Sequence, residues 1–182
     1  RGGDVSLVYG LPNSKSIGVF PRIGYSSVAK IRRFVKVLRV DPYLEQRNAP
    51  AFAQKLVSAP ANLGMRMVSP ETWRKSQAHF IRELTAFDNR FDELFSRTRA
   101  SVALTTARSA TFLKWRYTDC PLRKYRTIAL LTPDETRLSG YAVLYSTCNG
   151  HWFVADFWNE PCRDIACDLL GGLICWAREQ QA

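Results

Sequence analysis

Along the last third of the chain, hydrophobic and polar positions first alternate as strands and then change to a helical period. Arg126 to Thr132 and Ser139 to Thr147 are apolar runs rich in Ile, Leu, Val and Tyr, separated by Pro-Asp-Glu-Thr-Arg. That pattern predicts a hairpin with a loose loop. Asn149-Gly150 leads into the run His151 to Trp158. An Asn-Gly pair readily supplies the two positive φ angles of a type I′ turn, so a second hairpin is expected. Strand parity then places Trp152, Val154, Asp156 and Trp158 on one face. From Cys162 to Gln181, Ile165, Leu169, Leu173 and Trp176 share one helical face, which Ala166, Leu170 and Ile174 widen. The sum is an antiparallel meander covered by a helix.

Upstream the pattern is mixed. Pro70 to Thr98 reads as helical, with Ser69 or Thr72 as cap and Phe80, Leu84, Phe87, Phe91 and Phe95 recurring at spacings of three and four. Such an aromatic stripe predicts core packing, and His79 beside it is given a structural place. Ser101 to Arg108 reads as a short strand or as the entry to a helix from Ser109 to Tyr117. Between Asp41 and Pro70 three prolines and no sustained period predict a linker with one short helix near Ala49 to Val57. Val5 to Gly10 is a short β run. A helix from Lys15 to Ile23 follows, capped by Asn13 or Ser14, distorted by Pro21 and ended at Gly24. Ser27 to Val40 alternates as one bent strand or two.

Composition narrows the class. The chain has 182 residues, 46% of them hydrophobic. No apolar run approaches the roughly 20 residues that cross a bilayer, and no secretory leader pattern opens the chain. A soluble, cytoplasmic protein with no membrane partner is expected. The five cysteines include no Cys-x-x-Cys pair and only two histidines accompany them, which predicts reduced core thiols and no metal. The net charge of +10 favours a polyanionic contact. The basic residues are scattered, and the densest group, Lys30 to Arg39, alternates with apolar residues as a solvated strand face does. A nucleic-acid partner is therefore not favoured, while the phosphates of a nucleotide cofactor would benefit from the same charge.

Two strings carry a resemblance. Tyr9-Gly-Leu-Pro-Asn13-Ser-Lys-Ser16-Ile-Gly-Val-Phe20-Pro-Arg-Ile-Gly24-Tyr25 resembles the end of a GNAT-superfamily N-acetyltransferase domain. Phe112-Leu-Lys-Trp115-Arg116-Tyr117, followed by Pro121 and Tyr125 ahead of the strands, is similar to a bacterial subgroup with a second GNAT-like unit after the first. The resemblance implies an α+β fold with a mixed, mostly antiparallel sheet flanked by helices. It divides the chain into the C-terminal part of a first unit (1–40), a linker (41–70) and a second unit (71–182), with a pyrophosphate loop expected upstream. It implies acetyl transfer from acetyl-CoA to an amine of a small molecule or a protein, without a covalent enzyme intermediate. Asn13 and Ser16 would then lie on the cofactor side. The family's general-acid Tyr is replaced by Phe20, which has no proton to give.

The residues themselves nominate further chemistry. Asp156 stands inside an apolar strand, where a carboxylate needs a partner such as Arg116, or else acquires a raised pKa suited to taking a proton from an amine. Both readings stand at this level, ion pair and catalytic base. Trp115, Arg116 and Tyr117 could bind an acyl acceptor by stacking and hydrogen bonds, and core packing explains Trp115 equally well. The junction Phe157 to Asp164, where the family seats the cofactor pyrophosphate on free N–H groups at a helix start, carries Glu160, Pro161 and Asp164 instead of a basic, glycine-rich loop. Gly171-Gly172 fall too far into the helix for that role and predict close packing on the sheet. Alternatives of other classes are a catalytically inactive GNAT fold used for binding or assembly, and a nucleic-acid binder.

Overall fold

A computed structural model of the chain describes residues 10, 12–28, 30, 32–41, 44, 50–73, 79–148 and 150–180. The strand expected from Val5 falls almost wholly outside them. The chain forms two compact units, residues 1–36 and 37–182.

In the smaller unit, Asn13 closes a turn. Its Oδ1 accepts from the backbone N–H groups of Lys15 (3.0 Å) and Ser16 (2.9 Å), and its own N–H donates to Ser16 Oγ (3.1 Å). The expected helix is realised as turns and one 3-10 turn, Phe20–Ile23. Pro21, without an N–H, cannot extend an α-helical ladder. Gly24, at φ 91°, ends the turn. Tyr25 meets the Phe20 ring edge-on at 5.0 Å. The described residues of the 27–40 segment form no strand. Alternation alone does not make a strand, which needs a neighbour to pair with.

The larger unit runs α1 (Ala51–Val68), α2 (Pro70–Trp73), β1 (Phe80–Leu84), α3 (Asn89–Thr98), α4 (Ala110–Leu113, continued by a π-helical turn Lys114–Thr118), β2 (Arg126–Leu131), β3 (Leu138–Ser146), β4 (Trp152–Asn159) and α5 (Arg163–Glu179). The strands lie side by side in the order β1-β2-β3-β4, antiparallel at every pairing. One face packs Ile128, Leu130, Ala142 and Leu144 against Leu169, Leu173 and Trp176 of α5. The other packs Ala129, Leu131, Tyr141 and Val143 against Phe91 and Leu94 of α3 and Leu113 of α4. The result is the expected α+β architecture, a sheet flanked by helices on both sides.

Four details correct the sequence reading. Phe80 and Leu84 belong to β1 rather than to a helix: a spacing of four is even, so it keeps side chains on one face of a strand as well as of a helix. The helix proper begins after Asp88, whose carboxylate accepts from the Arg90 N–H at 3.0 Å. The Arg90 guanidinium beside it holds that carboxyl below the usual range. Between Asp41 and Pro70 the helix is 18 residues long and runs through Pro60. Its polar side faces inward: Asn62 donates to Asp41 (2.8 Å) and accepts from the Val40 N–H (2.9 Å), while Phe52, Leu56, Leu63 and Met67 are exposed. The loop of the second hairpin is closed by Thr147 N–H donating to the His151 carbonyl at 3.0 Å, with Gly150 at φ 72°. Asn149 lies outside the described residues. On α5, Leu170 is exposed and does not widen the packed face.

The largest correction concerns β4. Its register with β3 shifts between Val143 and Leu144, which face Asp156 and Val154, so Ala155 is left over as a bulge. Side-chain direction therefore changes parity within the strand. Trp152 packs edge-on against Trp176 of α5, at 5.0 Å, whereas Trp158 lies against Phe95 of α3, at 5.8 Å. Asp156 goes with Trp158 to the α3 side. Of the paired glycines of α5, Gly172 serves close packing on the sheet, since a Cβ there would stand 2.1 Å from Ile81 Cγ1 of β1, whereas a Cβ on Gly171 would make only ordinary contact with Glu71 at 3.5 Å.

Candidate functional site

The bulge delivers Asp156 to the face where β3 and β4 meet α3, and there both carboxylate oxygens accept hydrogen bonds. Its Oδ1 accepts from Arg108 Nε (3.3 Å) and Nη2 (3.2 Å) and from the Phe157 N–H (3.0 Å). Its Oδ2 accepts from the Tyr141 hydroxyl at 3.1 Å. The side chains of Arg108 and Asp156 are 17% and 12% exposed, so the pair is largely shielded from water.

Arg108 is itself held from every side. It lies 4.3 Å over the Trp158 ring, and its Nη1 donates to Thr105 Oγ1 and to the Thr106 carbonyl. Trp158 donates from Nε1 to Thr98 Oγ1 at 2.7 Å, and the Thr98 hydroxyl donates in turn to the Leu94 carbonyl at 2.7 Å. The network thus runs from β4 into the last turn of α3. Burial, and then the adjacent Asp156 charge, push the Tyr141 phenol well above its ordinary value. Tyr117 is raised by the same two causes, and the neighbouring Arg116 opposes the shift. Both phenols are neutral hydrogen-bonding groups at physiological pH.

The partner of Asp156 is therefore Arg108, not the expected Arg116. Arg116 is exposed and lies 5.7 Å over the Tyr117 ring. The π-helical turn sends three consecutive candidates in different directions. Trp115 is 63% exposed and touches Phe112 at 5.7 Å, Arg116 is at the surface, and Tyr117 is buried. From Tyr117 a row of rings continues through Tyr125 (5.0 Å) to Tyr145 (5.7 Å) and ends on Phe153, stacked on Tyr145 at 5.3 Å and 10°. Arg123 sits 4.4 Å over the Tyr145 ring. Asn13 and Ser16, in the smaller unit, spend their side chains on each other and on the turn they close.

At the β4–α5 junction, Glu160 is not a bare charge. Arg97 (3.2 Å) and Arg137 (2.8 Å) both donate to its Oε1. Cys162 stands at the N-cap of α5 without a side-chain cap bond. On the opposite side of the sheet, α2, β1 and α5 enclose a cavity of about 130 Å³ lined in part by Cys167, Gly171, Gly172 and Cys175. The ion pair Glu71–Arg178 (3.2 Å) and the pair His79–Asp168 (3.6 Å) border it. All five cysteines are free thiols, and among the described residues no group of three or more His, Cys, Asp or Glu is placed to hold a metal. Among the same residues no helix is long and apolar enough to cross a membrane.

Arg108 was not legible as the partner: 48 residues separate it from Asp156, and no spacing rule links a loop arginine to a strand that far away. No protein-family model matches the chain, and no curated protein matches it.

Proposed function

We propose that the chain is part of a GNAT-like N-acyltransferase that moves an acetyl group from acetyl-CoA to an amine. One observation carries this reading. The larger unit runs strand, two helices, three antiparallel strands and a helix, with a bulge in the fourth strand just before it hands over to α5. In the resembled family that handover seats the cofactor pyrophosphate. Neutralisation of Glu160 by two arginines removes part of the repulsion its charge would exert there. Asp156 contributes architecture in this reading: a carboxylate that already accepts from Arg108, Tyr141 and a backbone N–H is not a free base.

The test is thiol release from acetyl-CoA in the presence of amines of several classes. Acetyl transfer is expected to fall on Asn13→Asp, a change that preserves the turn-closing acceptor and replaces the amide N–H donor with a negative charge. Absence of transfer to every amine would count against the reading. A second reading, a GNAT-like fold that binds or assembles without chemistry, is favoured by Phe20 and by the full engagement of Asp156. It requires acetyl-CoA turnover to be absent while the fold is intact.

A further inference from the structure

The outer end of β3 and β4 carries a row of aromatic rings that reaches the surface. The ring row that starts at buried Tyr117 surfaces at Phe153, which is 41% exposed on the edge strand of the sheet and parallel to Tyr145. Beside it the loop before β2 brings Arg123 over the Tyr145 ring, with exposed Lys124 next in the chain. From Lys114 to Arg126 the sequence holds five basic residues and one acidic one, Asp119.

Several arginines of this unit have their charge answered by the protein. Arg90, Arg97, Arg108, Arg126, Arg137 and Arg178 each meet a carboxylate within 3.2 Å. Arg123 differs: its described contact is the face of an aromatic ring. Stacking uses the flat face of a guanidinium and leaves its N–H edge directed outward, five donors in a fixed fork. An exposed ring adjoining an unanswered guanidinium edge suits a flat ligand with an anionic substituent: the ring stacks, and the anion takes paired, charge-assisted hydrogen bonds.

We propose that this end of the sheet binds a planar ligand bearing a phosphate or a carboxylate, its ring on exposed Phe153 and its anion on Arg123. The site stands on binding alone and does not rest on acyl transfer. With transfer, it would define the acceptor as an amine on such a molecule.

The test titrates the full chain with AMP, with adenosine as the ring alone, inorganic phosphate as the anion alone, and nicotinate as a carboxylate counterpart, following heat or intrinsic fluorescence. AMP or nicotinate is expected to bind about tenfold or more tightly than adenosine or phosphate, and to weaken as salt rises. Which of the two is tighter separates phosphate from carboxylate recognition. Arg123→Gln should reduce AMP to the level of adenosine while leaving adenosine unchanged, and Phe153→Ala should weaken both. Arg123 is exposed, so the thermal midpoint of Arg123→Gln should equal that of the parent and exclude unfolding as the cause. The proposal is overturned if AMP and nicotinate bind no better than adenosine, if Arg123→Gln leaves AMP binding intact, or if only an oligonucleotide binds and no mononucleotide does.

Discussion

Replacing Asp156 with Ala separates architecture from proton transfer. The change removes the counter-charge of Arg108 and the acceptor of the Tyr141 hydroxyl, in a pair whose side chains are 17% and 12% exposed. Stranding one member of a fully buried pair costs about 3–5 kcal/mol, and of an exposed pair about 0–1 kcal/mol. The low exposure places this pair toward the upper figure. Arg108 keeps Thr105, Thr106 and the Trp158 ring, which discounts the loss to about 2–3 kcal/mol, and the orphaned Tyr141 hydroxyl adds about 1 kcal/mol. Asp156→Asn still offers Tyr141 an acceptor and should cost about 1–2 kcal/mol. Urea denaturation reads both as a lower midpoint at unchanged slope. The thermal midpoint of Asp156→Ala should fall by roughly 6–16 °C, at about 2–4 °C per kcal/mol for a chain of this size. The Asp156→Ala/Arg108→Ala double variant should lose less than the sum of its singles, because the two residues share one interaction. An Asp156→Ala protein within about 0.5 kcal/mol of the parent, yet devoid of acetyl transfer, would refute the structural assignment.

Two further outcomes follow from packing and burial. Gly172→Ala should destabilise by up to about 2 kcal/mol by chemical denaturation: overpacking against Ile81 costs about 1–3 kcal/mol and the gain in helix propensity returns about 1. Ile81→Val in the same chain should recover part of that loss. Tyr141, whose phenol ionises only with difficulty inside the fold, holds its proton more tightly folded than unfolded. Stability is therefore complete below the unfolded value near pH 10 and declines as pH rises beyond it, by up to about 1.4 kcal/mol per pH unit. The difference in thermal midpoint between Tyr141→Phe and the parent, followed from pH 9 to 11 (roughly one unit either side of the free phenol), should shift in favour of Tyr141→Phe.

The strands and α5 were readable because each has one period held over a full element: the β2 and β3 runs appear as Arg126–Leu131 and Leu138–Ser146, within a residue or so of their apolar limits. Phe80 and Leu84 misled because four residues is a repeat common to both periods, and only pairing with Leu131 and Thr127 of β2 decides for the strand. Ala155 misled more deeply. A bulge is fixed by two strands together, so a single strand's alternation cannot announce it, and the side assigned to Trp152 was lost with it. For the site, Asp156 was visible as a polar residue among apolar ones, but its partner was settled by a tertiary contact from the loop ahead of α4. Asn13 was visible as a turn closer, and that is the role its hydrogen bonds describe.

Because Ala155 belongs to neither hydrophobic interior, β4 acts as a joint between them, with one tryptophan anchored on each side. Strand length at that point works like a reading frame. Losing the extra residue would rotate either Trp152 or the Asp156–Trp158 segment out of its socket, and the two halves of the molecule would compete for a single register. Side-chain identity at position 155 matters far less than the presence of one residue there.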